Sequence, residues 1–254
     1  MLTLFRPSHR AIRQRRIRLA ENLSIAYGGV GDAFGDCILT LQHALHASDR
    51  LGRCVGIYPY SPSGRSKVAA FEELIPFFRT AGRVELIKAK GPVHDAKSGW
   101  GNYATIPMIN PYLEESAIEY ELFEECWKPG PYHRMCYQFY GNSGSHLKSF
   151  KRPEAIRLFE SFSAIEKVKV GLPQTVQQTV ATMFKSDFFV GIDSGMTHLA
   201  RCVGIPVFVH PNRISMPYFY RWHKQGSPSY TVFRSLPELH AQLRERLPWV
   251  LPAV

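Results

Sequence analysis

The 254-residue chain has no apolar run approaching the length of a membrane-spanning helix, so a helical membrane protein is not expected. Cysteine is scarce as well. Cys37, Cys54, Cys126, Cys136 and Cys202 include no Cys-x-x-Cys and no paired spacing. An odd count without a secretory-type start argues against a disulfide framework, and reduced thiols in a cytoplasmic protein are the expectation. His133 and Cys136 would make half of a metal site, but no second half occurs in the sequence, so no metal is expected. Acidic residues are missing from several long stretches, among them those ahead of Glu21, between Glu125 and Glu154, and between Asp193 and Glu238. With 31 Lys and Arg against 21 Asp and Glu, the formal charge is +10. An anionic partner follows: a phosphorylated small molecule, a lipid head group, an anionic glycan or nucleic acid.

What is present is concentrated in one segment. Residues 188–192 form a short apolar run suited to a strand buried on both faces. Asp193, Ser194 and Gly195 supply a turn, and two of them are good helix N-caps. Met196, Leu199, Ala200 and Val203 then recur at the spacing of an amphipathic helix, Gly204 stops it, and Pro206 precedes a second apolar run at 207–209. The turn is therefore expected at the carboxyl end of a parallel strand, where open α/β sheets bind ligands. Backbone N–H groups at the helix start favour an anion, typically phosphate, and Thr197 and His198 could add donors. The plainer alternative is that every strand–helix–strand unit has such a turn and that Asp193 and Ser194 merely cap a helix. Against it stand the clustering of Asp, Ser, Thr and His, and a following stretch that has no acid yet carries Arg201, Arg213, Arg221, Lys224 and Arg234.

Residues 186–200, with Gly204, Ile205, Pro206 and Val207, resemble the signature of heptosyltransferase-type glycosyltransferases, enzymes that build the inner core of lipopolysaccharide from ADP-heptose. In that family an Asp-Ser/Thr-Gly-x-x-His-Leu-Ala turn of the C-terminal domain holds the donor diphosphate. Asp193, Ser194, Gly195, Thr197, His198, Leu199 and Ala200 match it in register, with Met196 at a variable position, and the resemblance implies donor contacts from residues 193–198. After Val209 the family continues with Phe-Gly-Pro, whereas this chain has His210, Pro211, Asn212 and Arg213, a departure at the point of nucleobase recognition. No Asp-x-Asp occurs, so the metal-dependent fold class of glycosyltransferases is not favoured.

The N-terminal half reads as another α/β domain. A strand at 23–27 runs into Gly28, Gly29, Gly31 and Asp32, then a helix from about 34 to 47. Glycines after a strand allow a tight turn and close backbone approach to a ligand. The resemblance implies that Gly29 and Gly31 line the acceptor side and that an aspartate there is the catalytic base. Asp32 fits by its distance from the strand, Asp36 by the residues that follow, and both would share one face if both were helical. Sugar transfer needs such a base for the acceptor hydroxyl and N–H dipoles or cations for the departing diphosphate. Either aspartate could instead be a helix cap. Further on, strands are expected at 55–58 and 84–88 and a helix at 68–78. Residues 91–111, rich in Gly, Pro and Asn, read as a loop, and Glu114, Glu115, Glu119, Glu121, Glu124 and Glu125 as a solvated acidic helix. Lys128, Pro129, Gly130 and Pro131 read as a linker.

The C-terminal domain is expected to open with a strand at 135–140, a small-residue turn at 141–145 containing Ser143, and a helix to about 162. Family members carry a Lys-x-Trp-Pro-like element here whose lysine reaches the donor phosphates. Lys148 fits with Phe150 in place of Trp, and Lys151 is the rival. A strand at 168–171 and a helix at 175–183 lead to the signature. The expected architecture is α/β of the GT-B type: two Rossmann-like domains facing a cleft, acceptor side 1–130 and donor side 131–254. The expected activity is metal-independent transfer of a sugar from a nucleoside-diphosphate sugar to an acceptor hydroxyl on an anionic glycan or lipid-linked glycan, with no obligatory cofactor. Nucleic acid is the alternative acceptor; a nucleotide-sugar epimerase or hydrolase, or a binding module, are alternatives on the same fold. Arg6, Arg10, Arg13, Arg15, Arg16 and Arg18 make residues 1–20 a basic extension, read as solvated chain, as peripheral contact with an anionic inner membrane face, or as an organelle transit peptide.

Overall fold

The structure, a computed structural model, describes residues 24–28, 33–57, 59, 66–86, 103–107, 123, 125–141, 149–210 and 230–250. The basic extension, Gly29, Gly31, Asp32, Ser143, Lys148 and five of the six glutamates of the expected acidic helix lie outside them. Glu125, the sixth, sits exposed in an irregular segment. The chain divides into two compact units, Met1–Ile118 and Glu119–Val254.

In the first unit β1 (Ser24–Gly28), β2 (Val55–Ile57), β3 (Val84–Leu86) and β4 (Tyr103–Pro107) form a parallel sheet in the order β3-β2-β1-β4. Between β1 and β2 runs α1 (Phe34–Leu51), longer than expected because nothing stops it before Gly52, which caps it at φ 62. Its interior face carries Cys37, Ile38, Leu41, Ala44 and Leu45, all fully buried. α2 (Val68–Leu74) tightens into a 3-10 turn, Ile75–Phe77, where Pro76 supplies no N–H to continue an α-helix. The strand β4 corrects the reading of 91–111 as loop throughout. Its flanking Gly and Pro hide five residues that pair in parallel along the whole of β1.

The second unit is a five-stranded parallel sheet ordered β6-β5-β7-β8-β9. Its elements are β5 (Arg134–Gln138), α3 (Arg152–Ser161), β6 (Glu166–Lys169), α4 (Val176–Phe184), β7 (Phe188–Ile192), α5 (Gly195–Val203), β8 (Val207–His210), β9 (Tyr230–Val232) and α6 (Leu236–Arg246). β7 occupies the expected residues and is buried along its whole length, as the central strand of a sheet covered on both faces must be. Phe188, Val190 and Ile192 point to one side and pack with Phe208, Phe233, Leu158 and Phe162 of neighbouring elements and with Leu239 and Leu243 of α6. α4 and α5 pack on each other and α5 lies against β7 and β8. Each large ring in this cluster is worth about 3–5 kcal/mol on truncation to Ala. Buried Asp187 pins the approach to β5, accepting from the backbone N–H groups of Tyr132 at 3.1 Å and Arg134 at 2.9 Å. Residues 128–131 lie within this unit, just after Trp127, whose backbone N–H donates to Val203 O at 3.0 Å and whose indole donates to Ser186 O at 2.7 Å.

Candidate functional site

Counted along the chain, the second sheet has the order 2-1-3-4-5, so its topological switch point lies between β5 and β7. Crossovers leave those strands toward opposite sides, their loops splay apart, and a crevice opens at the carboxyl ends. Gln138, the last residue of β5, is paired with Gly191 of β7, and Ile192 is the last residue of β7. The signature turn therefore falls on the crevice.

The turn is held by its own side chains. Ser194 occupies the N-cap position of α5 in an extended conformation, φ −155 and ψ 171, yet its hydroxyl makes no capping bond. It donates instead to the Gln138 side-chain carbonyl across the switch point. The Thr197 hydroxyl donates to Ile192 O and is 2% exposed, so its proton is committed to the end of β7. This changes the expected role of Thr197, which fixes the turn and, so held, has no proton to offer a ligand. Backbone N–H groups of Thr197 and His198 donate to Ser194 O at 3.1 and 3.3 Å. Gly195 and Met196 are the first two residues of α5, so their N–H groups have no partner in the helix and carry the positive end of its dipole. Gly171, at φ 92, completes the wall: a Cβ there would stand 3.3 Å from both Gln138 Nε2 and Met196 Cγ.

α5 itself differs from the amphipathic expectation. Met196 is half-buried, and from Thr197 to Val203 every residue is buried, His198 at 3% and Arg201 at 5% exposed among them. The side opposite the expected stripe is covered because the incoming chain lies along its end, Phe123 N–H donating to Cys202 O at 3.0 Å. Asp193 is likewise buried.

The other candidates are spread around the same edge or lie elsewhere. Lys151 is the exposed N-cap of α3, its backbone N–H held by Glu154 at 3.0 Å. Phe150 beside it turns inward, its ring 4.7 Å from Phe139 and 4.9 Å from His210. The loop between β5 and α3 is closed at its base by Phe150 N–H to Phe139 O, 2.9 Å. Asp36 is at the third position of α1, where its carboxylate accepts from Ala33 N–H at 3.0 Å. The helix begins behind its N-cap Ala33, and Asp32 lies outside the described residues. Cys136 is buried, its thiol donating toward Phe188 O at 3.5 Å and pushed up to about 12 by burial. Among the described residues no group of three His, Cys, Asp or Glu is arranged to hold a metal ion. No helix among them is long and apolar enough to cross a membrane.

Three residues at this edge escaped the sequence reading. Gln138 and Gly171 had no motif to mark them, although Gln138 ends β5 and Gly171 follows β6. His210 stood out only as a departure from the resemblance. It closes β8 opposite Ile192, packs against both the Phe150 and Phe233 rings, and burial lowers its pKa, with Glu154 opposing.

No family model matches the chain, and no curated protein matches it by sequence. Solved structures do. The crystal structure of the bacterial iron-containing dodecameric glycosyltransferase TibC from enterotoxigenic E. coli H10407 is similar with a TM-score of 0.47 and 11% identity. TibC described as a heptosyltransferase in complex with ADP-D-beta-D-heptose is similar with a TM-score of 0.42, also at 11% identity. Each likeness covers 75% of this chain and only 58% of the TibC chain. Likeness at that level assigns no residue a role, and the site stands on its own geometry.

Proposed function

We propose that this chain is a glycosyltransferase of the GT-B type that moves a sugar from a nucleoside-diphosphate sugar to an acceptor hydroxyl. The observation that carries the reading is the turn at the switch point, where the N–H groups of Gly195 and Met196 start a helix without a side-chain cap. The resemblance of residues 193–200 to a diphosphate-binding turn and the absence of acids from 194 to 237 support it. The second unit would hold the donor, with Lys148 or Lys151 adding a cation to the diphosphate, and the first would present the acceptor beside Gly29 and Gly31.

In the transfer step the acceptor O–H gives its proton to a carboxylate as its oxygen bonds to the anomeric carbon. The bond from that carbon to the diphosphate oxygen breaks, and the leaving charge is received by the helix N–H groups. Asp36 already caps α1, so Asp32 is the better base. We assign the leaving-group stabilisation to these dipoles and to basic side chains rather than to an obligatory metal, and the acceptor to an anionic, lipid-linked glycan that residues 1–20 would approach at a membrane face. The test is a panel of nucleoside-diphosphate sugars read by mass spectrometry. Release of nucleoside diphosphate with a sugar-sized mass gain on a glycan acceptor supports the reading; release of free sugar alone identifies a hydrolase.

A further inference from the structure

A serine at a helix N-cap ordinarily turns its hydroxyl onto the second or third helical N–H. Ser194 has the extended backbone of an N-cap and does not do so. Its hydroxyl is drawn off by Gln138, which reaches from the end of β5 across the switch point. Thr197 N–H, the third helical donor, is already taken by Ser194 O at 3.1 Å. A released Ser194 hydroxyl would therefore turn to the Met196 N–H, the second helical donor and one of the two the anion needs.

We infer that Gln138 is a positioning residue of the diphosphate site: it holds Ser194 away from the helix start so that the N–H groups of Gly195 and Met196 stay open to the ligand. The inference rests on the diphosphate reading of the turn. The Gln138 amide is itself confined. Gly171 leaves just enough space beside Nε2, while a Cβ on Gly191 would clash with the Phe189 ring and stand 3.1 Å from the backbone carbonyl oxygen of Gln138 at the strand end. Glycine at both positions allows the amide and the strand end to lie this close to their neighbours.

The test is calorimetric binding of ADP and UDP to the native chain, to Gln138→Met or Gln138→Leu, and to each combined with Ser194→Ala. Two replacements of similar size guard against one that fails to fold. The single Gln138 variants should bind about fivefold to tenfold more weakly, the strength of an N-cap read as a binding ratio. Adding Ser194→Ala should bring affinity to within about threefold of that of Ser194→Ala alone, measured alongside, because the competing hydroxyl is gone. A purely structural role for Gln138 would not be rescued in this way. Double variants as weak as the singles, or singles that bind like native, overturn the inference while leaving the diphosphate site standing. No binding of either nucleotide by the native chain overturns the underlying reading instead.

Discussion

Thr197→Val separates the two roles a threonine can have at this turn. The side chain is 2% exposed and its hydroxyl donates to Ile192 O, tying α5 to the end of β7. Valine keeps the shape and removes the donor, leaving a carbonyl in a nearly water-free place without that partner. The cost of orphaning such a group is about 1–3 kcal/mol. At about 2–4 °C per kcal/mol for a chain of this size, a middle value lowers the melting temperature by roughly 4–8 °C. Thr197→Ser keeps the hydroxyl and loses one buried methyl, about 1 kcal/mol, so it should melt between native and the Val variant. Thermal unfolding by circular dichroism and calorimetric ADP binding are measured on the same samples. Affinity should change by less than about threefold in the Val variant, since the hydroxyl faces the strand. An unchanged melting temperature with affinity lost by more than about tenfold would refute the reasoning and put the hydroxyl on the ligand.

Asp32→Asn should cut turnover by about two orders of magnitude or more with donor affinity little changed, whereas Asp36→Asn should stay within about tenfold, and comparing kcat and donor Kd for both checks this. Acidification should weaken the fold through His210. Burial lowers its pKa below 6.5, so below that pH the unfolded chain takes up a proton that the folded chain resists. Stability is then present above 6.5 and lost as pH falls toward the lowered value, and His210→Phe should flatten that part of a urea-midpoint profile. Transfer should survive exhaustive chelation; loss on chelation, restored by iron or magnesium, would overturn the metal-independent proposal.

The second unit was legible where apolar runs and their punctuation agree. β7 needed only five buried residues between Asp187 and Asp193, and α5 ended where Gly204 supplies φ 83. β9 and α6 were not anticipated, although Ser235 followed by Glu238 and the spaced Leu239 and Leu243 marks a helix start. Ser235 does accept from Glu238 N–H at 3.3 Å. β4 was hidden because it is only five residues long, ends on Pro107 and lies in a stretch whose Gly and Pro suggested loop. The motif located the turn, but it could not show that Ser194 forgoes its capping bond and donates to Gln138, a residue 56 positions away. Nor could periodicity tell that every residue of α5 from Thr197 to Val203 would be buried, since Phe123 and Trp127 bond the end of the helix from far back in the chain.

The central claim is that the N–H groups opening α5 receive a diphosphate. Gly195→Pro tests it most directly, because proline suits the first position of a helix and removes that one donor. Calorimetric titration of the native chain and the Gly195→Pro variant with ADP and UDP should show binding by native and a loss of about tenfold or more in the variant, with helical signal and melting temperature retained. Equal binding by both, or none by native, would contradict the account.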